Sequence, residues 1–457
     1  MKKKLVLLPL LISGFIFAQQ NSTFKEDSLQ FRGIAKEVMN HSNAYNNLHS
    51  LTKDIGARLS GSDAYEKAVE WSVQKLKEAG ADKVWKQPVM IPVWERGTES
   101  LHFKNEQGKW EKVKMLSLGN SEGTQGKDLI AEVIVVKNFE EFNQLKPEQV
   151  KGKIVLFNYP FKKEFINTFE AYSDASKYRS QSASAVAKKG GIGVIVRSMS
   201  TADSDVPHTG GMRYENGLPK IPAIAIGTKT ADQLEKISRS KKLTVKINSN
   251  CGMKGEKSSY NVIGELTGKN SDKKIIIAGH LDSWDVGEGA HDDGTGIVQS
   301  IEVLRAFKQL KLQNNHTIRV ICYANEENGV KGGTTYADEL NSEKEPHIFA
   351  IESDAGGFSP RGFSLDMDAE KKAQIQSWSN LFAPYQIVDF TRIGGGVDIG
   401  PLKKHKVPLA GLLPDSQRYF DLHHSEEDTF EKVNKRELNL GASAMTQLVY
   451  MIDKYWK

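Results

Sequence analysis

The sequence predicts an α/β fold in which a mixed or parallel β-sheet is covered by helices on both faces. After residue 258, apolar segments alternate with amphipathic ones, the order that builds such sheets. Residues 275–278 are continuously apolar, as in a strand buried on both faces. A glycine-rich acidic loop and a helical pattern at 297–310 follow. This order places polar groups at the carboxyl end of the sheet, where open α/β folds bind ligands.

The remaining elements of the main domain follow from the same patterns. Strands are predicted at 262–266, 275–280, 318–324, 347–354 and 407–413, and helices at 297–310, 332–340, 371–381 and 440–456. Nearer the N-terminus, residues 63–76 have helical spacing behind the N-cap candidate Asp63, with Glu66 three residues later. Residues 84–95 combine β-forming residues with prolines, which predicts an edge strand.

Residues from about 120 to 252 have a different sequence pattern, which predicts short strands separated by turns. The strand candidates are 129–136, 153–157, 193–196, 223–226 and 243–247, with one helix at 179–189. We therefore predict a separate β-rich domain inserted into the main one. The chain then divides into residues 19–119, the insertion 120–252 and residues 253–457.

The first 18 residues have the three parts of a secretory signal peptide: three lysines, an apolar stretch at 5–17 and the small residue Ala18. We expect an exported protein, periplasmic or secreted, with no membrane anchor after cleavage. Removal of the signal peptide with its lysines lowers the formal net charge from +5 to nearly neutral. The net charge therefore gives no indication of nucleic-acid binding. The two cysteines, Cys251 and Cys322, do not form a disulfide framework, and Cys322 lies in an apolar strand.

Side chains able to bind a metal recur in the loops that follow the predicted strands. They are His280 with Asp282, Asp292 with Asp293, Glu326 with Glu327, Asp354, and the group His423, His424 and Asp428. Taken singly, adjacent acids are usually solvated or cap helices. Their repeated position at the carboxyl ends of apolar strands instead predicts a metal site. Alternation along a strand puts residues 280 and 282 on one face, so Asp282 can orient the imidazole of His280.

Two histidines and several carboxylates form a ligand set that suits zinc. More carboxylates converge than one tetrahedral zinc uses, and two metals about 3.5–4 Å apart with a bridging carboxylate use them better. One glutamate then remains as a general base, because hydrolysis needs a group that takes the proton of water.

These motifs resemble those of the dizinc exopeptidases, a family that includes bacterial leucyl aminopeptidase, glutamate carboxypeptidase and the transferrin receptor ectodomain. The metal-site motifs are GHLDSWDVGEGAHDDGTG, NEENGVKGG, ESDAGG and HHSEEDT. IGARLSGS at 55–62 and IPVWERG at 91–97 are similar to the carboxypeptidase Q branch. KGKIVLF, KKGGIGVIV and IPAIAIG resemble the protease-associated domain that many members carry as an insertion. The resemblance covers essentially the whole mature chain and implies the zinc-exopeptidase fold.

Carried over position by position, the resemblance implies a role for each ligand. Two zinc ions per chain are held by the bridging Asp292, by His280 and Asp354 on one side, and by Glu327 and His424 on the other. Glu326 is the general base of a two-metal, bridging-water mechanism and later the proton donor, while Asp282 orients His280. His424 is preferred to His423 because the family ligand directly precedes Ser or Thr. The peptide between Asp292 and Asp293 is often cis in this family.

Other residues are candidates for the substrate pocket. Asp398 and Tyr419 lie in loops that flank the metal loops, and His423 adjoins a ligand. For Asp398, a structural role as the cap of a glycine-rich turn is as good an interpretation as a role in the substrate pocket. Arg392 can meet a substrate carboxylate, although an arginine beside a turn is more often a surface ion-pair partner. We expect His291 near the site but not as a ligand.

The resemblance implies hydrolysis of a terminal peptide bond in a dipeptide or short peptide. It favours a carboxypeptidase over an aminopeptidase, although no residue identifies the terminus that is held. An inactive binding protein on this scaffold is disfavoured, because all five ligands and the base are present. A glutaminyl cyclase uses one zinc, whereas His280 and Asp354 favour a second. The family also makes a homodimer a candidate assembly.

Overall fold

The structure is a computed structural model that describes residues 8–456, with side chains from residue 23 onward except at position 271. The predicted signal peptide, residues 1–18, therefore lies outside the residues whose side chains are described. Within the described part of the chain, no helix has the length and apolar character needed to cross a membrane.

The strands build two separate sheets. In chain order they are β1 Lys83–Glu95, β2 Glu99–Lys104, β3 Trp110–Val113, β4 Leu116–Ser117, β5 Leu129–Val136, β6 Ile154–Phe157, β7 Gly193–Arg197, β8 Ala223–Ile226, β9 Leu243–Ser249, β10 Gly252–Leu266, β11 Asn270–His280, β12 His316–Tyr323, β13 His347–Glu352, β14 Pro360–Asp366 and β15 Leu409–Pro414.

The helices pack on these sheets. In chain order they are α1 Leu8–His41, α2 Ala44–His49, α3 Asp63–Glu78, α4 Phe139–Gln144, α5 Pro147–Val150, α6 Thr168–Lys188, α7 Thr228–Ser240, α8 Thr295–Gln309, α9 Lys331–Glu339, α10 Ala369–Ser377, α11 Ser379–Phe382 and α12 Lys435–Tyr455. A kinked turn, Ala290–Gly294, in which Asp292 and Asp293 have non-helical backbone angles, precedes α8.

The larger domain contains a seven-stranded sheet in the order β1-β10-β12-β11-β13-β15-β14. Its centre, β12-β11-β13-β15, is parallel, and the flanking pairs are antiparallel. Along β11, Ile275 and Ile277 pack with α3, α8 and α12 on one face, while Ile276 and Ala278 pack with α9 on the other. The predicted mixed sheet between helices is confirmed, because both faces of its central strand are buried.

The second sheet has eight strands in the order β3-β2-β9-β5-β6-β7-β8-β4. Helix α7 packs on one face, and α4 and α6 pack on the other. Strands β2, β3 and β4 precede residue 120, so this sheet starts before the predicted insertion. The domain boundaries at 120 and 252 stay predictions.

Several local features differ from the sequence-based expectation. The N-cap of α3 is Ser62, whose side chain accepts a hydrogen bond from the Tyr65 amide, and Asp63 is the first helical residue. The sequence analysis missed helix α7, whose buried residues include Ala231, Leu234 and Ile237. Strand β14, which contains glycine and begins at proline, forms an edge by pairing antiparallel with β15.

Candidate metal centre and substrate cavity

The predicted ligands converge at the carboxyl ends of the central strands. Asp292 lies in the middle: its Oδ1 is 3.2 Å from His280 Nε2, and its Oδ2 is 3.2 Å from His424 Nε2. The same His280 nitrogen is 3.5 Å from Asp354 Oδ1. His424 Nε2 is 3.1 Å from Glu327 Oε2. One carboxylate therefore faces two ligand groups, each of which contains one histidine and one further acid.

This arrangement fits a pair of metal ions. Ligand atoms of His280, Asp292 and Asp354 all lie within 4.8 Å of one another, as do those of Asp292, His423 and His424. Asp292 Oδ2 is buried and accepts no hydrogen bond. A buried carboxylate oxygen that faces histidine nitrogens without a donor is suited to a cation.

The electrostatics of the site also favour cations. Burial, together with the negative charge of Asp292, raises the pKa of Glu327 to about 7, and the same two causes raise the pKa of Asp354. Burial lowers the pKa of His280, but its hydrogen bonds to Asp292 and Asp354 outweigh this and raise that pKa well above its ordinary value. Carboxylates crowded in this way repel one another unless positive charge lies between them.

His423 and His424 are stacked, with ring centroids 3.5 Å apart. His423 Nε2 lies 3.7 Å from Asp292 Oδ2, farther than the 3.2 Å of His424. His424 also contacts Glu327, so the distances favour His424 as the ligand and leave His423 beside it.

Asp282 holds two parts of the site. Its carboxylate accepts hydrogen bonds from the amides of Glu326 at 3.1 Å and Glu327 at 3.4 Å. Its backbone carbonyl, rather than its carboxylate, lies 3.0 Å from His280 Nδ1, while the nearest carboxylate oxygen is 3.7 Å from that nitrogen. Asp282 therefore orients the imidazole through the main chain and the glutamate loop through its side chain.

Two other acids fix the loop that carries Asp292. Asp428 accepts hydrogen bonds from the amides of His291 at 2.7 Å and Asp292 at 3.1 Å. Asp293 accepts from the amides of His280 and Gly296, at 3.1 Å and 3.0 Å. The peptide between Asp292 and Asp293 is cis. Backbone amides bonded to buried carboxylates give the ligands fixed directions.

Arg58, from the loop before α3, lies beneath the metal loops and is fully buried. Its guanidinium donates to the backbone carbonyls of Leu281 at 2.6 Å, Glu288 at 2.8 Å and Gly289 at 3.0 Å. The arginine therefore connects the end of β11 to the loop that leads into Asp292.

A cavity of about 1560 Å³ opens beside the metal centre, between the two domains. Tyr419 and His423 line it, as predicted for pocket residues, together with Glu326. Asp398 does not line the cavity: it is fully buried, and its carboxylate oxygens have no hydrogen-bond partner. Arg392 pairs with Asp389 at 2.9 Å on the surface, so the surface ion-pair explanation of this arginine is correct.

The sequence matches known proteins over nearly its full length. Residues 261–449 match the model of peptidase family M28, and residues 122–234 match that of the PA domain. Carboxypeptidase Q of Bos taurus is 33% identical, with 98% of this chain and 95% of the relative covered. Carboxypeptidase Q of Homo sapiens is also 33% identical, with coverage of 94% and 90%. The chain belongs to peptidase family M28.

Solved structures agree with this assignment to M28. The structure of a peptidase M28 precursor from Shewanella amazonensis SB2B is 31% identical, with a TM-score of 0.88 over 94% of this chain and 97% of the other. BSAP, a zinc aminopeptidase from Bacillus subtilis, shares the fold at 19% identity, with a TM-score of 0.66 and coverage of 91% and 96%. The predicted family, inserted domain and metallo-exopeptidase class are confirmed for this M28 hydrolase.

The M28 peptidase also contains site residues that the sequence analysis missed. Tyr172 and Arg179 on α6 line the cavity, and Thr209 donates its amide to the His424 carbonyl at 2.9 Å. All three belong to the inserted domain, where no metal-binding motif or acid pair marks them. His291 lies beside the site, stacked on Phe358 with centroids 4.3 Å apart.

Proposed function

We propose that this M28 peptidase is an exported, two-zinc exopeptidase that releases the C-terminal residue of dipeptides or short peptides. The observation that carries the two-zinc assignment is Asp292, which presents one oxygen to each of two ligand groups. The 33% identity to carboxypeptidase Q supports the C-terminal specificity. The signal-like residues 1–18 support export, and N-terminal sequencing of the mature protein tests it.

His280 and Asp354 would hold one zinc and Glu327 and His424 the other, with Asp292 shared. When bound, the two zinc ions supply Lewis acidity to the scissile carbonyl and make a water molecule more acidic. The complete ligand set and Glu326 argue against an inactive binding protein on this scaffold.

Glu326 is placed to move the proton. Its side chain is 17% exposed, faces the cavity and lies 4.0 Å from His280 Nε2. Burial raises its pKa well above the ordinary value, so this carboxyl holds a proton more readily than a solvated glutamate. It takes the proton as the water oxygen bonds to the carbonyl carbon. It then gives the proton to the nitrogen as the C–N bond breaks, so that the amine leaves neutral.

The Glu326→Gln variant tests this role. We expect kcat to fall by about 10²–10⁴-fold, the range for loss of a general base, because glutamine cannot accept the proton. Zinc content, measured by atomic absorption, should stay near that of the wild type. Wild-type turnover in the glutamine variant would refute the assignment.

Blocked substrates test which terminus is held. A carboxypeptidase should cleave a free and an N-acetylated dipeptide but not the C-amidated one. Loss of cleavage on N-acetylation with survival on amidation would identify an aminopeptidase, and loss with either block would identify a strict dipeptidase.

A further inference from the structure

The second metal site, the pair Glu327 and His424, is built on loops that contact the inserted domain. His208 Nδ1 donates to the His423 carbonyl at 2.7 Å, and the Thr209 amide donates to the His424 carbonyl at 2.9 Å. The Thr209 carbonyl lies 3.4 Å from His424 Nδ1. Because a carbonyl can only accept, this contact favours the tautomer of His424 that carries its proton on Nδ1 and leaves Nε2 free for a metal.

The apolar residues of the His424 loop also pack against the inserted domain. The Phe420 ring is fully buried, and its centroid lies 5.0 Å from that of Phe169 and 4.9 Å from that of Tyr172, both on α6. Tyr419 and Leu422 belong to the same buried apolar cluster. Because burial of this surface holds the loop in place, the position of the loop depends on how the two domains dock.

The loop that carries Glu327 meets the inserted domain at a different point. Asn120, at the start of the predicted insertion, donates its Nδ2 to the Asn328 carbonyl at 3.0 Å. Asn328 Nδ2 donates back to Asn120 Oδ1 at 3.3 Å. A Cβ at Gly211 would come within 3.2 Å of the Glu327 carbonyl oxygen. The inserted domain therefore contacts the backbone at or beside both ligands of the second metal site.

The first metal site, the pair His280 and Asp354, is held by the larger domain. The His280 amide donates to Asp293 at 3.1 Å, and His280 Nδ1 lies 3.0 Å from the Asp282 carbonyl. The residue before Asp354 donates its amide to the Ala278 carbonyl of β11 at 3.1 Å. All of these partners belong to the larger domain, so the two metal sites differ in what fixes their ligands.

We propose that the inserted domain positions the ligands of the second metal site but not those of the first, an inference that rests on the proposed two-zinc assignment. The affinity of the second site for zinc then depends on the docking of the two domains, whereas that of the first site is set within the larger domain. His208 and Asn120 are positioning residues, because each bonds to the backbone of a residue next to a ligand. Partners that fix the direction of a metal ligand contribute to metal affinity without touching the metal.

Stepwise zinc titration of the metal-free protein, in competition with a fluorescent chelator, tests this asymmetry. His208→Ala removes the donor to the His423 carbonyl. We expect the affinity for one of the two zinc ions to fall by about 10–100-fold, the range for loss of a residue that orients a metal ligand. The weakened step should be the one that is lost in the reference variant His424→Ala and not the one that is lost in His280→Ala. His208→Asn, whose amide nitrogen can take the place of Nδ1, should recover part of the affinity.

Asn120→Gly gives an independent measurement at the other contact. Glycine accepts the positive φ of 66° at this position and removes the side chain that bonds to Asn328, so the same zinc step should weaken. Asn158→Ala is the matched control, because Asn158 is buried and its side chain bonds to other residues of the inserted domain, Arg197 and Asp232. Both zinc affinities of the control should stay within about threefold of those of the wild type, since sites without shared partners are nearly independent.

The titrations separate this inference from the proposed function. Selective weakening of the second site in His208→Ala and in Asn120→Gly supports the role of the inserted domain. Equal weakening of both sites, weakening of the first site alone, or wild-type affinities in either variant would overturn it. If His208→Ala does not fold, Asn120→Gly decides by the same criteria. A wild-type protein that binds a single zinc ion would instead overturn the two-zinc assignment of the proposed function.

Discussion

Replacing Arg58 by methionine should destabilise the fold by about 3–6 kcal/mol. Three short hydrogen bonds from a charged donor are lost at about 1.5–3 kcal/mol each, besides a longer one to the Gly56 carbonyl at 3.4 Å, and methionine packing offsets part of the loss. The three carbonyl acceptors, on Leu281, Glu288 and Gly289, are bonded at 2.6–3.0 Å. In the variant the carbonyls of Leu281 and Glu288 lose this donor, whereas Gly289 keeps the amide of Gly294, at 3.1 Å. The loop they belong to leads into the shared ligand Asp292, so metal affinity should fall as well.

Urea unfolding of the metal-free protein, followed by circular dichroism, measures the change in the free energy of unfolding. Isothermal titration with zinc then measures the loss of affinity. Arg392→Met is the matched control, because Arg392 is 44% exposed and pairs with one surface acid, Asp389. Its substitution should change stability by less than about 0.5 kcal/mol.

Arg58→Lys should fall between the wild type and the methionine variant, because one ammonium group cannot reach three carbonyls spread over residues 281–289. An Arg58→Met protein within about 1 kcal/mol of the wild type, the range of an ordinary point mutation, would refute the reasoning. It would mean that water or a shifted main chain satisfies these carbonyls.

Two further substitutions give distinct outcomes. Asp428→Ala leaves the amides of His291 and Asp292 without an acceptor, so unfolding by urea should be easier by about 2–5 kcal/mol and zinc binding weaker; unchanged zinc affinity would contradict the positioning role. For His347, burial and then the nearby Arg319 lower the pKa to about 3, so below pH 6.5 the unfolded chain binds a proton that the folded chain excludes. Stability should therefore fall by about 1.4 kcal/mol per pH unit from pH 6.5 toward pH 3 through this residue. His347→Gln should remove that slope in urea unfolding at pH 4.5 and 6.5, and an equal slope in both proteins would contradict the assignment.

The metal centre could be predicted from the sequence because its residues are tied to the strands that position them. His280, Glu327 and Asp354 lie at the end of an apolar segment or within a few residues of it, and parallel strands end at one edge of a sheet. Side chains of a β-strand alternate between the two faces of the sheet, so the faces of the β11 residues follow from the local sequence alone. The choice of His424 over its neighbour depended on resemblance, and the distances to Asp292 favour the same residue.

Other parts of the site depend on contacts that no local pattern encodes. The sequence predicts that Asp282 orients His280 but not which of its atoms does so; the turn after β11 brings its carbonyl to the imidazole and its carboxylate to the glutamate loop. Asp398 was a pocket candidate, yet the chain buries it fully. These outcomes depend on backbone direction after a strand ends, where periodicity no longer applies.

The sequence alone determined the layered α/β sheet, the inserted domain and the metal-binding strand ends. Hydrophobic periodicity, and the succession of strands and helices along the chain, can be recognised from neighbouring residues. Only the tertiary structure decided how the two domains meet. It brings Thr209 of the inserted domain against His424, and it encloses Arg58 under loops more than two hundred residues away. Because most arginines are exposed to water, the sequence gives no reason to expect a buried one. Its partners are known only from the packed structure.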